Sequence, residues 1–406
     1  MAQKKKKEKW IKFRHYVVRN VGYVVLYLYT KLRYGVTIEK FKEQEKRPYL
    51  ILLNHQTVFD QFFVGMSMKG PVYYVATEDI FSNGFVSSLI RYLVAPIPIK
   101  KQTTDVQAVK TCYKVAKEGG TIAIAPEGNR TYSGKTEYMN PAIAGLARTL
   151  KLPILLYRIE GGYGVQPRWS DVIRKGKMRA FVSEVILPEE YKEMTNEELF
   201  DRIQKGLYVD DFTVDGEYHH KKRAEYLERA IYVCPYCGLS KWESHNEVAT
   251  CTTCNRSISY EPTKELRGVG FDFQFRSMNE WYEYQKEFVN ALDVMEYIDK
   301  PLFRDTANLS EVIVYKNKIP FRKNAQLALY GNRVVINEGS KDEMVLLFDD
   351  VTALAVLGRN KCNIYHNGKV YQVKSDKRFN ALKYVNIYYR YKNTRKGDCD
   401  GKFLGL

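Results

Sequence analysis

The 406-residue sequence lacks an apolar run long enough to cross a bilayer, which requires about 20 residues. The most apolar candidate, residues 21–29, is too short, and this excludes a membrane-spanning helix there. Lysines precede the run, as in secretory signal peptides, but no small-residue cleavage site follows it. We therefore expect a protein that does not span the membrane.

Cysteine is scarce outside one cluster, and acidic residues are outnumbered by basic ones. Cys112, Cys362 and Cys399 are scattered, which argues against a disulfide framework and indicates a reducing compartment. The chain has 64 Lys and Arg against 47 Asp and Glu, for a formal net charge of +17. Residues 1–20 alone carry +7. A basic arm of this kind binds nucleic acid or anionic lipid, or only keeps the chain soluble.

The residues after the lysines favour lipid. Aromatic and apolar side chains fill residues 21–29, and Trp10, Lys31 and Arg33 flank them. This composition is typical of a helix in the membrane interface, with aromatics at headgroup depth and basic residues on phosphates. We expect residues 1–44 to form such a helix on anionic lipids. The protein would then be peripheral or monotopic, on the cytoplasmic face of a membrane.

Residues 45–230 alternate between strand and helix patterns. The predicted strands are 49–53, 72–77, 121–125, 154–159 and 177–187. The predicted helices are 58–68, 85–93, 105–117, 142–149 and 195–208. The pattern predicts an α/β fold with a mostly parallel sheet flanked by helices. A charged stretch, residues 219–231, is also predicted to be helical.

Two polar motifs follow predicted strands of this sheet. His55 lies two residues past the first strand, and Glu127 lies two residues past another. Reactive groups gather beyond the carboxyl ends of such strands, so we expect the motifs to meet. A neutral imidazole takes a proton from an attacking alcohol, and a carboxylate such as Asp60 orients the ring. Arg130 offers a planar fork of donors suited to phosphate.

Each motif alone also has a purely structural interpretation. Thr57 and Asp60 have the spacing of a helix N-cap and its N3 carboxylate, so that Asp60 would only cap the helix 58–68. Gly128 and Asn129 are turn residues. The occurrence of both motifs in order favours a functional site. No serine or cysteine lies beside His55, which favours direct attack by a substrate hydroxyl over a covalent enzyme intermediate.

Over roughly residues 45–230 the chain resembles the glycerophospholipid acyltransferase family, which includes 1-acylglycerol-3-phosphate acyltransferases. The family block N-H-x4-D is matched by Asn54, His55 and Asp60. The block E-G-T-R is matched by Glu127, Gly128, Asn129 in place of Thr, and Arg130. The second block normally ends in Arg but ends here in Lys100 and Lys101. The fourth block usually has two prolines, of which this chain has one, Pro153.

The resemblance implies an O-acyltransferase of phospholipid biosynthesis. The acyl group of acyl-CoA or of an acyl carrier protein would pass to a hydroxyl of lysophosphatidate or a related lysophospholipid. His55 and Asp60 would be catalytic. The residues implied to bind substrate are Glu127, Gly128, Asn129, Arg130, Lys100 and Lys101.

Four cysteines form a separate motif, C-x2-C-x13-C-x2-C, within residues 231–262. They are Cys234, Cys237, Cys251 and Cys254. This spacing indicates a closed tetrahedral site for a structural Zn2+, and the segment resembles a zinc ribbon. Rubredoxin-type iron and a redox disulfide pair are the alternatives.

The remainder is predicted to contain a helical connector and a β-rich domain. Residues 263–300 are the connector, where Ser277 and Glu280 have capping-box spacing. In residues 301–392, seven short strands and a closing helix, 377–389, resemble a pleckstrin-homology or GRAM-like domain. A generic β-barrel is the alternative. Residues 393–406 are predicted to be a tail.

Two other functions remain open at this point. A degenerate acyltransferase core could serve as a non-catalytic, lipid-binding adaptor, as the Asn129 and Lys100 departures suggest. The zinc ribbon and the excess of basic over acidic residues also fit a nucleic-acid-associated protein. Because residues 231–262 contain only Lys241 and Arg256 as basic residues, we expect no nucleic acid partner.

Overall fold

A seven-stranded sheet forms the first part of the protein in the computed structural model, which describes residues 9–43, 48–99, 105–313 and 315–397. Its strands run in the spatial order β1-β7-β6-β2-β5-β3-β4. All adjacent pairs are parallel except β6 with β7. The strands are β1 (Val36–Ile38), β2 (Leu50–Leu53), β3 (Val72–Thr77), β4 (Ile97–Ile99), β5 (Thr121–Ile124), β6 (Ile154–Glu160) and β7 (Met178–Ile186). This confirms the predicted mostly parallel sheet, and β1, which lies within residues 1–44, joins it.

Helices cover both faces of this sheet. They are α1 (Phe13–Tyr34), α2 (Asp60–Ser67), α3 (Phe85–Val94), α4 (Val106–Lys117), α5 (Ala142–Leu150), α6 (Gly162–Val165), α7 (Pro188–Lys192) and α8 (Asn196–Leu207). The central strand β2 is buried on both sides, because Leu50 and Leu52 belong to one core cluster while Ile51 and Leu53 belong to the other. Such burial requires the continuous apolar run seen in the sequence.

The prediction of a helix over residues 219–231 is wrong. Among these residues only Leu227–Arg229 form a 3-10 turn. The amide of Tyr226 bonds to Ser244 Oγ at 2.6 Å and the amide of Ala224 to the carbonyl of Asn246 at 2.8 Å. These tertiary bonds replace helical ones, and Tyr226 has a positive φ of 72° that interrupts a helix.

The cysteine motif lies in a small module of short antiparallel strands. The strands are β8 (Val233–Cys234), β9 (Gly238–Leu239), β10 (Trp242–His245), β11 (Val248–Cys251), β12 (Ser257–Tyr260) and β13 (Leu266–Gly268). β10 to β13 pair in sequence order as one sheet, and β8 pairs with β9. Helix α9 (Met278–Ala291) follows, and Ser277 Oγ accepts the Glu280 amide at 3.2 Å, as the capping-box spacing predicts.

The C-terminal part is a seven-stranded antiparallel half-barrel followed by a helix. Its order is β17-β16-β15-β14-β20-β19-β18. The elements are β14 (Phe303–Ile313), β15 (Asn317–Leu329), β16 (Arg333–Ile336), β17 (Met344–Leu347), β18 (Val351–Leu357), β19 (Lys361–His366), β20 (Lys369–Lys374) and α10 (Leu382–Arg395). The strand count agrees with the prediction, but the helix begins at Leu382 instead of residue 377. Ser375 donates its hydroxyl to the Thr306 carbonyl, and Ala381 is the N-cap residue of the helix.

One hydrophobic cluster joins the three parts, and it reaches the first part through residues outside its sheet. Trp169 from the first part lies in the same cluster as Trp242 of the cysteine module, Trp281 of α9 and Leu382 of α10. The Trp242 and Trp281 rings meet edge to face at 4.8 Å. The cysteine module therefore packs against both the first part and the C-terminal part.

Candidate active site

The first motif lies at the end of the central strand of the first sheet. β2 has β5 on one side and β6 on the other, so the residues following these strands share one edge. Asn54 links two of them, since its Nδ2 donates to the Ile159 carbonyl at 2.8 Å and its Oδ1 accepts the Ile159 amide at 2.8 Å. Asn54 thereby holds the end of β2 against β6.

His55 and Asp60 form a direct hydrogen bond. His55 Nδ1 lies 2.7 Å from Asp60 Oδ2, and the two side chains are 27% and 1% exposed. The Asp60 carboxylate also accepts the Gln56 amide at 2.7 Å and the Thr57 hydroxyl at 2.6 Å. A carboxylate at Nδ1 selects the tautomer in which Nε2 is free to accept a proton.

Asp60 accepts the Thr57 amide at 3.0 Å, as a capping carboxylate would, but the predicted N-cap position of Thr57 is wrong. The helix begins at Asp60 itself, and its N-cap residue is Phe59. The Thr57 hydroxyl donates to Asp60 at 2.6 Å and accepts, at 3.1 Å, the amide of Phe59, which precedes the helix. The Asp60 carboxylate thus both holds the loop before α2 in place and orients the His55 ring.

Glu127 joins the second motif to the first. Its Oε1 accepts the His55 amide at 2.9 Å, and its Oε2 accepts the Glu137 amide at 3.0 Å. The His55 carbonyl in turn accepts the Thr131 amide at 3.1 Å. Burial raises the pKa of Glu127 to about 8, against the opposing effect of the two amides. Glu127 thus shapes the site through the backbone that carries His55.

Gly128 and Asn129 form the turn that leads to Arg130. Gly128 has φ +65°, a conformation that L side chains rarely adopt, and no atom would contact an added Cβ within 4 Å. The glycine is therefore required by the backbone conformation, not by close packing. Asn129 Oδ1 accepts a bond from Arg168 Nη2 at 3.3 Å.

Arg130 is buried beside this turn. It is 8% exposed, and its Nη1 has no hydrogen-bond partner within the part of the chain that the structure describes. Burial lowers its pKa to about 9, and the charges of Arg168 and Arg359 lower it further. A buried guanidinium with a free donor suits an anionic group of a ligand.

Two predicted substrate-binding residues, Lys100 and Lys101, lie outside the described residues. The strand that leads to them, β4, is parallel to β3 at the edge of the sheet. Arg168 and Arg359 were not predicted from the sequence. No motif marks them, since Arg168 lies in a loop after α6 and Arg359 in the turn between β18 and β19.

The four cysteines of the second candidate site are close together. Their sulfur atoms all lie within 4.8 Å of one another. Cys234 and Cys254 are 3.7 Å apart, and Cys237 and Cys251 are 3.6 Å apart. Tetrahedral zinc with bonds of about 2.3 Å places its sulfurs about 3.8 Å apart, so the four thiols fit this ion. His245 is not in the cluster, and its Nδ1 lies 3.3 Å from Arg378 Nη2.

Comparisons with known proteins agree with the first site. Residues 35–159 match the model of a family described as Acyltransferase. A 1-acyl-sn-glycerol-3-phosphate acyltransferase of Bacillus subtilis (strain 168) is 24% identical over 160 residues, which are 39% of this chain and 77% of that protein. The family match and this relative confirm that the chain is an enzyme of the O-acyltransferase class.

A solved structure is also similar to part of the chain. It is the 1-acyl-sn-glycerophosphate (LPA) acyltransferase of Thermotoga maritima, with a TM-score of 0.41 and 22% identity. The similarity covers 48% of this chain and 78% of that one. The family match itself includes both motifs of the first site and ends before the cysteine module.

Proposed function

We propose that this protein transfers an acyl group from an acyl thioester to a hydroxyl of lysophosphatidate or a related lysophospholipid. The observation that carries the proposal is the 2.7 Å bond between His55 Nδ1 and the buried Asp60, beside a guanidinium with a free donor. The Bacillus subtilis relative, named as a 1-acyl-sn-glycerol-3-phosphate acyltransferase, supports the acceptor class and a role in phospholipid synthesis. The donor is acyl-CoA or an acylated carrier protein.

His55 is the general base of the proposed reaction. Its Nε2 takes the proton of the acceptor hydroxyl as the oxygen attacks the thioester carbonyl. The tetrahedral intermediate then expels the thiolate, which receives the proton from the imidazolium, so the products are an ester and a thiol. Asp60 keeps Nδ1 protonated and stabilises the imidazolium.

The test is acyl transfer by His55→Ala and by Asp60→Asn with lysophosphatidate as the acceptor. We expect kcat to fall about 10²- to 10⁴-fold in each variant, with the fold retained. Asp201→Asn is the matched control, because Asp201 is an exposed residue of α8 and should keep full activity. Turnover by His55→Ala at the wild-type rate would contradict the base assignment.

The cysteine module binds a structural Zn2+ in this proposal. The sulfur spacings fit tetrahedral zinc, and four thiolates leave no open position for a substrate. The segment is then a zinc ribbon that stabilises the junction between the two sheets.

The enzyme acts on the cytoplasmic face of a membrane, as a peripheral or monotopic protein attracted by anionic lipids. Apolar side chains exposed on α1 and α3 support this placement: Phe13, Val17, Val21, Val24, Val25, Leu28, Leu32, Phe85, Val86, Leu89 and Tyr92. Arg14 connects the two helices, since its Nε donates to the Tyr92 carbonyl at 2.7 Å. Within the described residues no helix has the length and apolarity of a membrane span.

The C-terminal half-barrel is a pleckstrin-homology or GRAM-like domain that docks on the catalytic part. Its seven antiparallel strands followed by one helix support this assignment. Three basic residues near the end of this domain bond to other residues of the chain. Lys383 lies 2.7 Å from Asp305, Arg378 pairs with Glu225 and Glu228, and Arg390 donates to the Leu292 carbonyl at 3.0 Å. Their contacts support a role in holding the domain in place.

A further inference from the structure

A turn of the C-terminal half-barrel contacts the acyltransferase site. Residues 358–360 connect β18 to β19, where Leu357 pairs with Lys361. Arg168 Nε donates to the Gly358 carbonyl at 3.0 Å, and the Tyr132 hydroxyl donates to the Arg359 carbonyl at 3.4 Å. The turn therefore lies against the loop that carries Arg130.

Arg168 connects this turn to the second motif. Its Nη1 donates to the Arg130 carbonyl at 2.9 Å and its Nη2 to Asn129 Oδ1 at 3.3 Å. Its guanidinium also lies 4.3 Å from the centre of the Tyr132 ring. Because its three nitrogens bond to protein acceptors, Arg168 is a positioning residue.

Arg359 has spare donor capacity. Its Nη1 lies 3.2 Å from Asp171 Oδ1, but its buried Nε has no partner in the described ranges. Asp171 also binds Arg229, with an Nη1 to Oδ1 distance of 2.7 Å. One carboxylate is thus shared by two guanidinium groups, and the charge of Arg359 is only partly balanced.

Positive charge accumulates where these residues meet. The charges of Arg168 and Arg359 both act, after burial, to lower the pKa of Arg130. Burial is the main cause of the raised pKa of Tyr34, on which Asp60, Arg359 and Arg130 also act. The charges of Arg130, Arg359 and Asp60 therefore all act on the region around Tyr34. Glu127 supplies little compensating charge at neutral pH, since burial raises its pKa to about 8.

We infer that Arg359, supplied by the C-terminal half-barrel, binds the acceptor phosphate together with Arg130, and that Arg168 positions both. Two buried or half-buried donors, Arg130 Nη1 and Arg359 Nε, lack partners on the described chain and suit oxygens of one phosphate. Two guanidinium groups favour a phosphomonoester, which carries more negative charge than a phosphodiester. The inference rests on the proposed function and makes the half-barrel part of the acceptor site.

The test compares Arg359→Gln and Arg359→Lys with the wild-type enzyme. With lysophosphatidate we expect Arg359→Gln to lose about 10- to 100-fold in kcat/KM, mainly through the acceptor KM, while the donor KM stays within about twofold. Arg359→Lys should recover part of the loss, since the charge remains but the fork is lost. Arg333→Gln is the control, because Arg333 lies on β16, near the opposite edge of the same sheet.

A binding measurement separates this inference from the proposed function. Calorimetric titration of the full-length protein with glycerol 3-phosphate requires no turnover, and we expect Arg359→Gln to weaken binding about tenfold or more. If the wild-type enzyme transfers an acyl group to none of the lysophospholipid acceptors, the proposed function is wrong. Unchanged glycerol 3-phosphate binding in Arg359→Gln, or a loss confined to the donor KM, would overturn the role of Arg359. A melting temperature equal to that of the wild type excludes unfolding as the cause.

Discussion

The catalytic geometry of single residues depends on backbone amides as much as on side chains. Asp60 accepts the amides of Gln56 and Thr57, and Glu127 accepts the amide of His55. These bonds hold the loop after β2 on both sides of the imidazole. A displacement of about 1 Å costs a catalytic group much of its effect, so we expect both acids to support the proposed catalysis by fixing His55.

Glu127 should make stability depend on pH. Its folded-state pKa is raised from 4.5 to about 8 by burial, so the folded protein keeps a proton that the unfolded chain has lost in this range. The stabilisation is present below pH 4.5 and is lost as the pH rises toward 8. We expect the free energy of unfolding to fall by up to about 1.4 kcal/mol per pH unit from this group alone.

The measurement is urea unfolding between pH 5 and pH 8, using Glu127→Gln. The variant has no titrating group at this position, so its unfolding free energy should change less steeply with pH than that of the wild type. It should also be less stable at low pH, because an amide has only one acceptor oxygen for two backbone donors. Parallel pH profiles for the two proteins would show that Glu127 is ionised when folded.

At the scale of elements, the cysteine module is the part whose stability we expect to depend on a metal. β8 to β13 are short strands, and their core is too small to fold alone without a metal or other packing. We expect about one zinc per chain by metal analysis, falling to near zero in Cys251→Ser together with a lower melting temperature. Cys362→Ala, which changes a buried thiol outside the cluster, should keep the zinc. Iron, or no metal in the wild type, contradicts this assignment.

Helix α1 has a buried face and an exposed apolar face. His15, Thr30 and Tyr34 are buried against the catalytic part, whereas Val24, Val25 and Leu28 are exposed. Deleting residues 1–34 would remove core side chains together with the exposed face. Substitution of the exposed residues is therefore the cleaner experiment.

We expect the triple variant Val24→Gln, Val25→Gln, Leu28→Gln to bind anionic vesicles at least about tenfold more weakly, because each apolar side chain inserted in lipid contributes about 1.5 to 3 kcal/mol. Vesicle sedimentation measures this. The control is Val345→Gln with Leu347→Gln, two exposed apolar residues on β17. Equal binding by the triple variant and the wild type would remove α1 from the membrane contact.

At the scale of the whole molecule, one hydrophobic cluster and a set of hydrogen bonds connect the parts. The cluster that contains Trp169, Trp242 and Trp281 runs through all three parts, and Arg168 bonds to both the second motif and the half-barrel. We expect calorimetry of the zinc-loaded protein to record one cooperative unfolding transition, which a chelator lowers as a unit. Well-separated transitions for the two sheets would contradict a shared core.

Local patterns predicted many individual elements. The apolar run of β2 predicted a strand buried on both faces, and the capping box at Ser277 predicted the start of α9. The dipeptide Asn367-Gly368 is typical of a tight hairpin, and both residues have positive φ in the turn between β19 and β20. Local patterns failed at residues 219–231, where tertiary hydrogen bonds replaced those of a helix.

The sequence by itself determined the α/β core, the pairing of His55 with Asp60 and the four-cysteine cluster. Each is encoded by residues close together in the chain or by the periodicity of a strand, so short-range chemistry suffices to find it. Only the tertiary structure decided that Arg168 bonds to the Arg130 carbonyl and that the turn carrying Arg359 contacts the same loop at Tyr132. Arg359 follows Arg130 by more than 200 residues, and contacts of the half-barrel turn with Arg168 and Tyr132, not any local pattern, bring the two segments together.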